Sequence, residues 1–314
     1  MYIEQGYRGD IGLWKFFVIP TLFVGYMAFN ALAMYLSPMD TTAVMDAMIE
    51  RFGSSVTLVF LLIPFAVGLL VVFGWTYLVH PQPLKALTTS RKKVDWKRIF
   101  FAFFLWGGIT LIITLADVYF SPEDYKFNFD LNKFLVLAVI AVLLIPLQTS
   151  FEEYLFRGHL LQGLGLLAKN RWVPLVVTSV IFGLMHLANP EVERLGYGIM
   201  VYYIGTGFFL GIMTLMDEGL ELALGFHAAN NLITALLVTA DWTAFQTDSI
   251  YRSIAEPTLG WDVFIPIVVI FPILLFIFSK KYGWTNWKER LAGKVLTKEQ
   301  FVALQNEDAP AVQT

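Results

Sequence analysis

The chain has 314 residues, a formal net charge of -3 and no cysteine; 57% of its residues are hydrophobic and 15% are charged. Soluble domains carry about 25% charged residues, so this composition excludes an ordinary soluble globule and also a disordered chain. It favours a polytopic membrane protein built from helices of about 20 residues. The near-neutral charge gives no case for a nucleic-acid partner, and without cysteine there are no disulfides, thiolate catalysis or cysteine-ligated metals.

Eight apolar stretches are long enough to form tilted membrane-spanning helices. In chain order they are Phe16 to Leu36, Val56 to Val79, Ile99 to Phe120, Phe134 to Phe156, Val173 to Ala188, Tyr197 to Met216, Leu220 to Ala240 and Val263 to Phe278. The sequence therefore predicts an all-α protein with about eight transmembrane helices. We divide it into accessory helices over residues 1–133, a core over 134–240 that holds the polar residues described below, and a last helix with its tail over 241–314.

Lysine and arginine are unevenly distributed among the connections. The link after the second span holds six of them between Lys85 and Arg98, and the C-terminal flank holds six between Lys280 and Lys298. Cytoplasmic connections of membrane proteins are enriched in these residues. The distribution predicts a multi-pass protein of the cell membrane, for which we favour a prokaryotic plasma membrane, with both termini in the cytoplasm.

Ionisable and polar side chains interrupt the apolar stretches at three places. They are Glu152, Glu153 and Arg157 at the inner end of the fourth span, His186 in the fifth, and His227 with Asn231 in the seventh. Such residues are costly inside a bilayer and are therefore candidates for function. If the spans form antiparallel hairpins, helical geometry puts the three groups at similar depth, so that one pocket can hold them all.

The spacing within the fourth span separates the roles of the two carboxylates. Residues four positions apart share a helix face, so Glu153 is expected to pair with Arg157. Glu152 lies about 100° further around the helix and is not restrained in this way. We therefore assign Glu152 as the reactive acid or base and Glu153 as a positioning carboxylate.

Three motifs follow one another along the core: Glu152-Glu153-x-x-x-Arg157, Phe182-x-x-x-His186 and His227-x-x-x-Asn231. Together they resemble the CPBP (Abi) family of intramembrane proteases, which includes type II CAAX prenyl endopeptidases and bacteriocin-immunity proteins. The resemblance covers about Phe134 to Ala240. It implies a four-helix catalytic core around a conical cavity that opens to the cytosol. It also implies hydrolysis of a peptide bond in a membrane-associated substrate, such as a prenylated CAAX-type protein.

The residues themselves can carry out amide hydrolysis, which needs an activated water, a stabilised oxyanion and a proton for the leaving amine. Glu152 with His186 can hold and deprotonate a water. His227 and the amide of Asn231 can donate hydrogen bonds to the oxyanion. The sequence thus predicts an intramembrane endopeptidase whose site residues are Glu152, Glu153, Arg157, His186, His227 and Asn231.

We expect no required cofactor, and zinc is the alternative. Its ligands would be Glu152, His186 and His227, a set of two imidazoles and one carboxylate of the kind that activates water in metalloproteases. Two observations argue against zinc. No His-Glu-x-x-His helix is present, and Asn231 is expected to point into the cavity beside His227 instead of supporting that histidine from behind.

Two other classes of function stay open. A noncatalytic scaffold or bacteriocin-immunity factor would need the helices but not the glutamates and histidines. A transporter would use these groups as a proton relay, but the sequence lacks an inverted repeat with a broken helix in each half. The expected partners are the lipid bilayer and a membrane-associated protein or peptide substrate, and the oligomeric state stays open.

Two further patterns concern packing. Gly207 and Gly211, four positions apart, are typical of close helix packing. His80 and His159 lie at the ends of spans and are expected at the membrane interface or in solvent.

Overall fold

The computed structural model describes residues 1–9, 12–37 and 40–307, which form fifteen α-helices and three short strands. The helices are α1 (Val18–Leu36), α2 (Thr41–Phe52), α3 (Ser54–Leu78), α4 (Leu84–Thr88), α5 (Trp96–Phe120), α6 (Leu131–Glu153), α7 (Leu161–Ala168), α8 (Trp172–Leu184), α9 (Pro190–Leu195), α10 (Met200–Asp217), α11 (Glu221–Leu237), α12 (Trp261–Ile265), α13 (Phe271–Tyr282), α14 (Trp287–Ala292) and α15 (Lys298–Glu307). The strands are β1 (Tyr125–Phe127), β2 (Val238–Thr239) and β3 (Tyr251–Ser253). The end of the predicted tail, residues 308–314, lies outside the described residues.

Six helical segments of the described residues are long and apolar enough to cross a membrane. They are Leu13–Leu36, Ser54–Leu78, Trp96–Phe120, Leu131–Ala168, Tyr197–Asp217 and Val263–Tyr282. Large apolar side chains are exposed on the outer surface of these segments, for example Leu70, Phe104, Leu143 and Val268. A continuous apolar surface of this kind suits lipid and not water. The predicted all-α polytopic membrane protein is confirmed.

The other two predicted spans are shorter helices: α8 has 13 residues and α11 has 17. α11 lies inside the helix bundle, and every residue from Glu221 to Ala229 is buried, whereas α8 is buried on one face only and exposes Trp172 and Leu184. A helix enclosed by protein does not have to match the thickness of the hydrocarbon layer. The structure therefore differs from the eight-span prediction in the length of these two helices and not in their presence.

Glycines let the core helices approach closely. A β-carbon at Gly207 of α10 would lie 2.6 Å from the carbonyl oxygen of Ser179 in α8, and one at Gly211 would lie 2.6 Å from Leu175 Cδ1. The predicted small-residue packing is confirmed. Since α11 also packs against α5 and α6, and α6 packs against α3, helices α6, α8, α10 and α11 surround a common interior.

The two ends of the bundle are built differently. Between α6 and α7 the helix widens into a buried π-helical segment, Tyr154–Leu160. The N-terminal 3-10 helix, Ile3–Arg8, packs against α4 and α7 at this end. At the opposite end β3 pairs antiparallel with β1 and parallel with β2. The turns at Lys169 and at Glu218 lie at the same end as the N-terminal segment, and both residues have a positive φ.

Candidate active site

The last turn of α6 positions the two adjacent carboxylates in different environments. Glu153 is fully buried, and its Oε1 accepts a hydrogen bond of 3.1 Å from Arg157 Nη1, as the spacing predicted. Glu152 is 8% exposed and does not bond Arg157. Its Oε1 accepts from Gln148 Nε2 at 2.6 Å, whereas Oε2 has no hydrogen-bond partner. Oε2 of Glu153 also has no hydrogen-bond partner, so the two carboxylates differ in position: Glu153 is fully buried within the protein, whereas Glu152 lines the cavity described below.

Arg157 is a fully buried cation held by three contacts. Besides its pairing with Glu153, Nη2 donates to the Gly207 carbonyl at 3.0 Å, and the guanidinium lies 4.3 Å from the centre of the Phe182 ring. Arg157 is in the π-helical segment, while its other partners are on α8 and α10. A buried charge needs such partners. The contacts of Arg157 therefore link the segment that follows α6 to α8 and α10.

His227 of α11 lies between the two glutamates and is 6% exposed. Its Nδ1 is 2.8 Å from Glu153 Oε1, and its Nε2 is 3.7 Å from Glu152 Oε2. Since a carboxylate accepts from Nδ1, that nitrogen carries a proton and Nε2 faces Glu152. The second distance is too long for a direct hydrogen bond and suits a shared water.

His186 lies in a turn and not in a helix as predicted. α8 ends at Leu184, and residues 185–188 turn before Pro190 begins α9. Proline disfavours helical geometry in the residue before it, and Asn189 is accordingly extended, so Pro190 keeps the turn from continuing as a helix. The His186 Nδ1 is 2.9 Å from the Phe182 carbonyl oxygen, and the ring stacks on Tyr203 with centroids 4.3 Å apart. Its Nε2 is therefore the nitrogen that can accept a hydrogen bond.

Asn231 lies one turn after His227 and belongs to a chain of amides. Its Nδ2 donates to Gln148 Oε1 at 3.1 Å, and its Oδ1 accepts from Asn230 at 3.1 Å. Trp106 of α5 in turn donates to Asn230 Oδ1 at 3.1 Å. The amide chain thus ends on Glu152 through Gln148.

A cavity of about 980 Å³ brings these groups together. Glu152, His186, His227 and Asn231 line it, whereas Glu153 and Arg157 lie behind its wall. The wall is otherwise rich in aromatic residues, including Phe23, Phe65, Phe151, Phe182, Tyr203 and Phe226. The arrangement combines a free carboxylate oxygen, two oriented imidazoles and an amide in one largely apolar chamber.

Comparison with known proteins assigns this core. Residues 131–233 match the family model of type II CAAX prenyl endopeptidase Rce1-like proteins. The family resemblance of the core is confirmed. The matched region runs from the start of α6 into α11 and includes all six predicted site residues of this CAAX-protease-like core. The core of this multi-pass helical protein is therefore similar to type II CAAX prenyl endopeptidase Rce1-like proteins.

A relative in Bacillus subtilis (strain 168), the uncharacterized protein YyaK, is 28% identical over 276 residues, which cover 83% of this chain and 90% of the relative. No solved structure matches the chain. The similarity to YyaK therefore extends well beyond the Rce1-like core into the accessory helices.

The site does not fit the zinc alternative. Among the described residues, no three His, Asp or Glu side chains lie close enough together to hold a metal ion. Asn231 lines the cavity and bonds Gln148 and Asn230, as expected for a residue beside His227 and not behind it. The partner that orients His227 is Glu153, which bonds Nδ1 from behind, so this histidine does have the support that a ligand would need.

Three contributors to the site were not predicted. Gln148 is one turn before Glu152, a spacing that places both on one helix face, but a lone glutamine in an apolar run gave little signal. Asn230 is adjacent to Asn231 in the sequence, and Trp106 is 124 residues away from its partner. Only the packing of α5 on α11 reveals that contact.

The prediction for His80 and His159 is wrong, because both are fully buried. They lie near each other at the end of the bundle that holds the N-terminal segment, with ring centroids 6.1 Å apart. Thr76 Oγ1 is 2.7 Å from His159 Nε2. The N-terminal segment covers them, and it could not be located from the local sequence.

The cavity opens at the end of the bundle that holds the sheet. Its wall there includes Asp124, Glu191, Trp242 and Thr258, which lie in the connections opposite the Lys/Arg-rich link. A cytosolic opening and cytoplasmic termini therefore cannot both be correct. These two expectations are incompatible in this structure.

Proposed function

We propose that the protein is an intramembrane endopeptidase that hydrolyses a peptide bond of a membrane-associated protein or peptide, using water activated by Glu152 and His186. The observation that carries the proposal is the position of Glu152. Its Oε2 is free of hydrogen bonds and faces His227 across 3.7 Å at the wall of the cavity. A carboxylate can act as a general base when one of its oxygens is unbonded and lies close to the reacting water.

The residues support the following reaction. A water donates hydrogen bonds to His186 Nε2 and Glu152 Oε2. It attacks the carbonyl carbon of the substrate as Glu152 takes its proton. His227, oriented by Glu153, and the second amide hydrogen of Asn231 donate hydrogen bonds to the oxyanion. Glu152 then gives the proton to the leaving nitrogen as the C–N bond breaks. The products are a carboxylate and an amine, and no cofactor takes part.

Gln148 and Arg157 act in this reaction as positioning residues. Gln148 holds one oxygen of Glu152 and one hydrogen of Asn231, so it sets the spacing between the base and an oxyanion donor. Arg157 holds Glu153, which in turn orients His227. Neither needs to touch the substrate.

The test compares variants that keep the fold. Glu152→Gln, His186→Ala and His227→Ala are each expected to lower proteolysis by a factor of about 100 or more, the scale for loss of a general base or an oxyanion donor. Asn231→Ala should do less, because His227 remains as a donor. Glu50→Gln is the matched control, since Glu50 is an exposed carboxylate on α2 that does not line the cavity.

The readout does not require a known substrate. Cells that produce wild-type protein or Glu152→Gln at equal levels are compared by mass spectrometry for new peptide termini in their membrane fraction. Termini that appear with wild-type and Glu50→Gln but not with Glu152→Gln support the endopeptidase. If all the variants act like wild-type in the cell, the scaffold or immunity function replaces it.

A further inference from the structure

Among the described residues, those that line the cavity lie in the middle of the bundle and toward the end that holds the sheet. The cavity wall uses parts of α1, α2 and α3, the second half of α11, the connections that follow α5 and α8, and the segment 238–258. No wall residue comes from 1–9, 12–22, 69–116, 157–181 or 207–225. These stretches include the N-terminal segment, the Lys/Arg-rich link and both turns at that end.

The opposite end is closed by packed protein. Tyr2, Ile3 and Phe16 are fully buried there. The Tyr2 hydroxyl donates to the carbonyls of Leu87 at 2.6 Å and Arg157 at 3.1 Å, which joins the N-terminal segment, α4 and the π-helical segment directly below the glutamates. Gln162 adds donors to the Tyr2 and Ala86 carbonyls. Packed and hydrogen-bonded protein therefore blocks access of a substrate from this end.

The charges of the connections orient this axis in the membrane. Of the 22 lysines and arginines, five lie at the open end: Arg51, Lys126, Lys133, Arg194 and Arg252. Apart from Arg157 in the site, the others lie at the closed end. The enrichment of basic residues on the cytoplasmic side therefore assigns the closed end to the cytoplasm and the open end to the exterior.

The charges of the cavity wall restrict what can enter. Among the described wall residues there are carboxylates at Asp117, Asp124, Glu191 and Glu256 near the mouth, and there is no lysine or arginine. Deeper in, the wall is mainly aromatic. A chamber with an acidic mouth and an apolar interior favours a segment that carries positive charge and apolar side chains.

Glu191 is the carboxylate best placed to select a basic side chain. Its Oε1 accepts from the Ala244 amide at 2.8 Å, while its buried Oε2 has no partner. Burial raises the pKa of this carboxyl group. A cation beside Oε2 would offset that cost, because an opposite charge favours the ionised form.

Building on the proposed peptidase activity, we propose that the cavity opens on the external face of the membrane and takes an apolar peptide segment carrying a basic residue, which Glu191 contacts. The substrate is then a peptide or an exposed segment of a membrane protein at the outer surface. A lipidated C-terminus in the cytosol would require the opposite orientation.

The first experiment tests the orientation and does not depend on activity. The chain has no cysteine, so Thr258→Cys at the mouth, Thr234→Cys deeper in the wall and Lys93→Cys at the closed end each introduce one thiol. All three positions are exposed. In intact cells a membrane-impermeant maleimide should label Thr258→Cys and Thr234→Cys, and should label Lys93→Cys only after permeabilisation. The reverse pattern overturns the proposal and leaves the proposed activity standing.

The second experiment tests the specificity with purified protein. Two synthetic apolar peptides are compared that differ only in one lysine replaced by glutamine. We expect the lysine peptide to have the lower KM, and Glu191→Gln to raise that KM about tenfold with little change in kcat or in the glutamine peptide. Glu50→Gln serves as the control. Equal KM values for the two peptides refute the basic-residue preference, whereas no cleavage of either by wild-type refutes the peptidase itself.

Discussion

Two neighbouring glutamates show how one helical turn separates positioning from chemistry. Glu153 is enclosed by Arg157 and His227, and Glu152 faces the cavity with a free oxygen. Their side chains point about 100° apart on α6, so they reach different helices. The chemical difference between the two residues arises from this geometry and not from the side chain.

We expect Glu153→Gln to destabilise the protein much more than Glu152→Gln does. Removing the Glu153 charge leaves the buried Arg157 without its counter-charge, a change that typically costs about 3–5 kcal/mol. Glu152→Gln removes no buried ion pair with arginine. Thermal unfolding in detergent measures the difference. Equal melting temperatures for the two variants would contradict the assignment of Glu153 as the structural partner.

Gln148 gives a second prediction at this scale. Gln148→Leu removes the donor to Glu152 and the acceptor for Asn231 and puts an apolar side chain of similar size in their place. Because the residue positions others and does not contact the substrate, kcat should fall about tenfold, on the scale of one lost hydrogen bond of about 1 kcal/mol or slightly more, while KM changes little. Thr149→Val, which removes a hydroxyl that bonds only backbone carbonyls of its own helix, is the control. An increase in KM with unchanged kcat would instead show that Gln148 binds substrate.

At the scale of the helices, the site depends on how closely α10 approaches α8. Gly207 permits that approach, and its carbonyl also accepts from Arg157 at 3.0 Å. Gly207→Ala should therefore separate the two helices, weaken the Arg157 contact and lower both the melting temperature and the activity. Gly74→Ala in α3 is the matched control, since a β-carbon there meets nothing within 4 Å. If both substitutions have equal effects, helix propensity and not packing explains them.

Particular elements show what the sequence could and could not predict. Hydrophobic length located every spanning helix, and i,i+4 spacing predicted the Glu153–Arg157 pair, because both features are local. The end of α8 at Leu184 and the π-helical segment Tyr154–Leu160 depend on tertiary packing, so the sequence predicted continuous helices there. The contact between Glu153 and His227 joins residues 74 positions apart, and no pattern within one helix could reveal it.

For the whole molecule, the distribution of charge and the shape of the cavity have to be considered together. The basic residues favour a cytoplasmic position for the closed end, where buried Glu4 and Arg171 pair at 2.6 Å and fix the N-terminal segment to the core. The family resemblance favours a cytosolic opening. Either inference is reasonable alone, and only the three-dimensional position of the mouth shows that they conflict.

Metal dependence is also a property of the whole molecule, because the candidate ligands come from separate parts of the chain. We expect the proposed peptidase activity not to need a metal. His227 Nε2 and Glu152 Oε2 are 3.7 Å apart, but no third His, Asp or Glu among the described residues completes a site. A catalytic zinc centre normally has three protein ligands and an open position for water. Instead, the orientation of His227 by Glu153 suits an imidazole that donates a hydrogen bond to an oxyanion.

The measurement is the rate of peptide cleavage by detergent-purified protein after prolonged treatment with a chelator, together with elemental analysis. Activity should persist, and zinc should be far below one equivalent per chain. The melting temperature should also be unchanged, because a bound metal would stabilise the fold by linkage and its removal would lower that temperature. Activity that disappears on chelation and returns with one equivalent of zinc would contradict the prediction, and would make Glu152, His186 and His227 ligands after a rearrangement of the turn that holds His186.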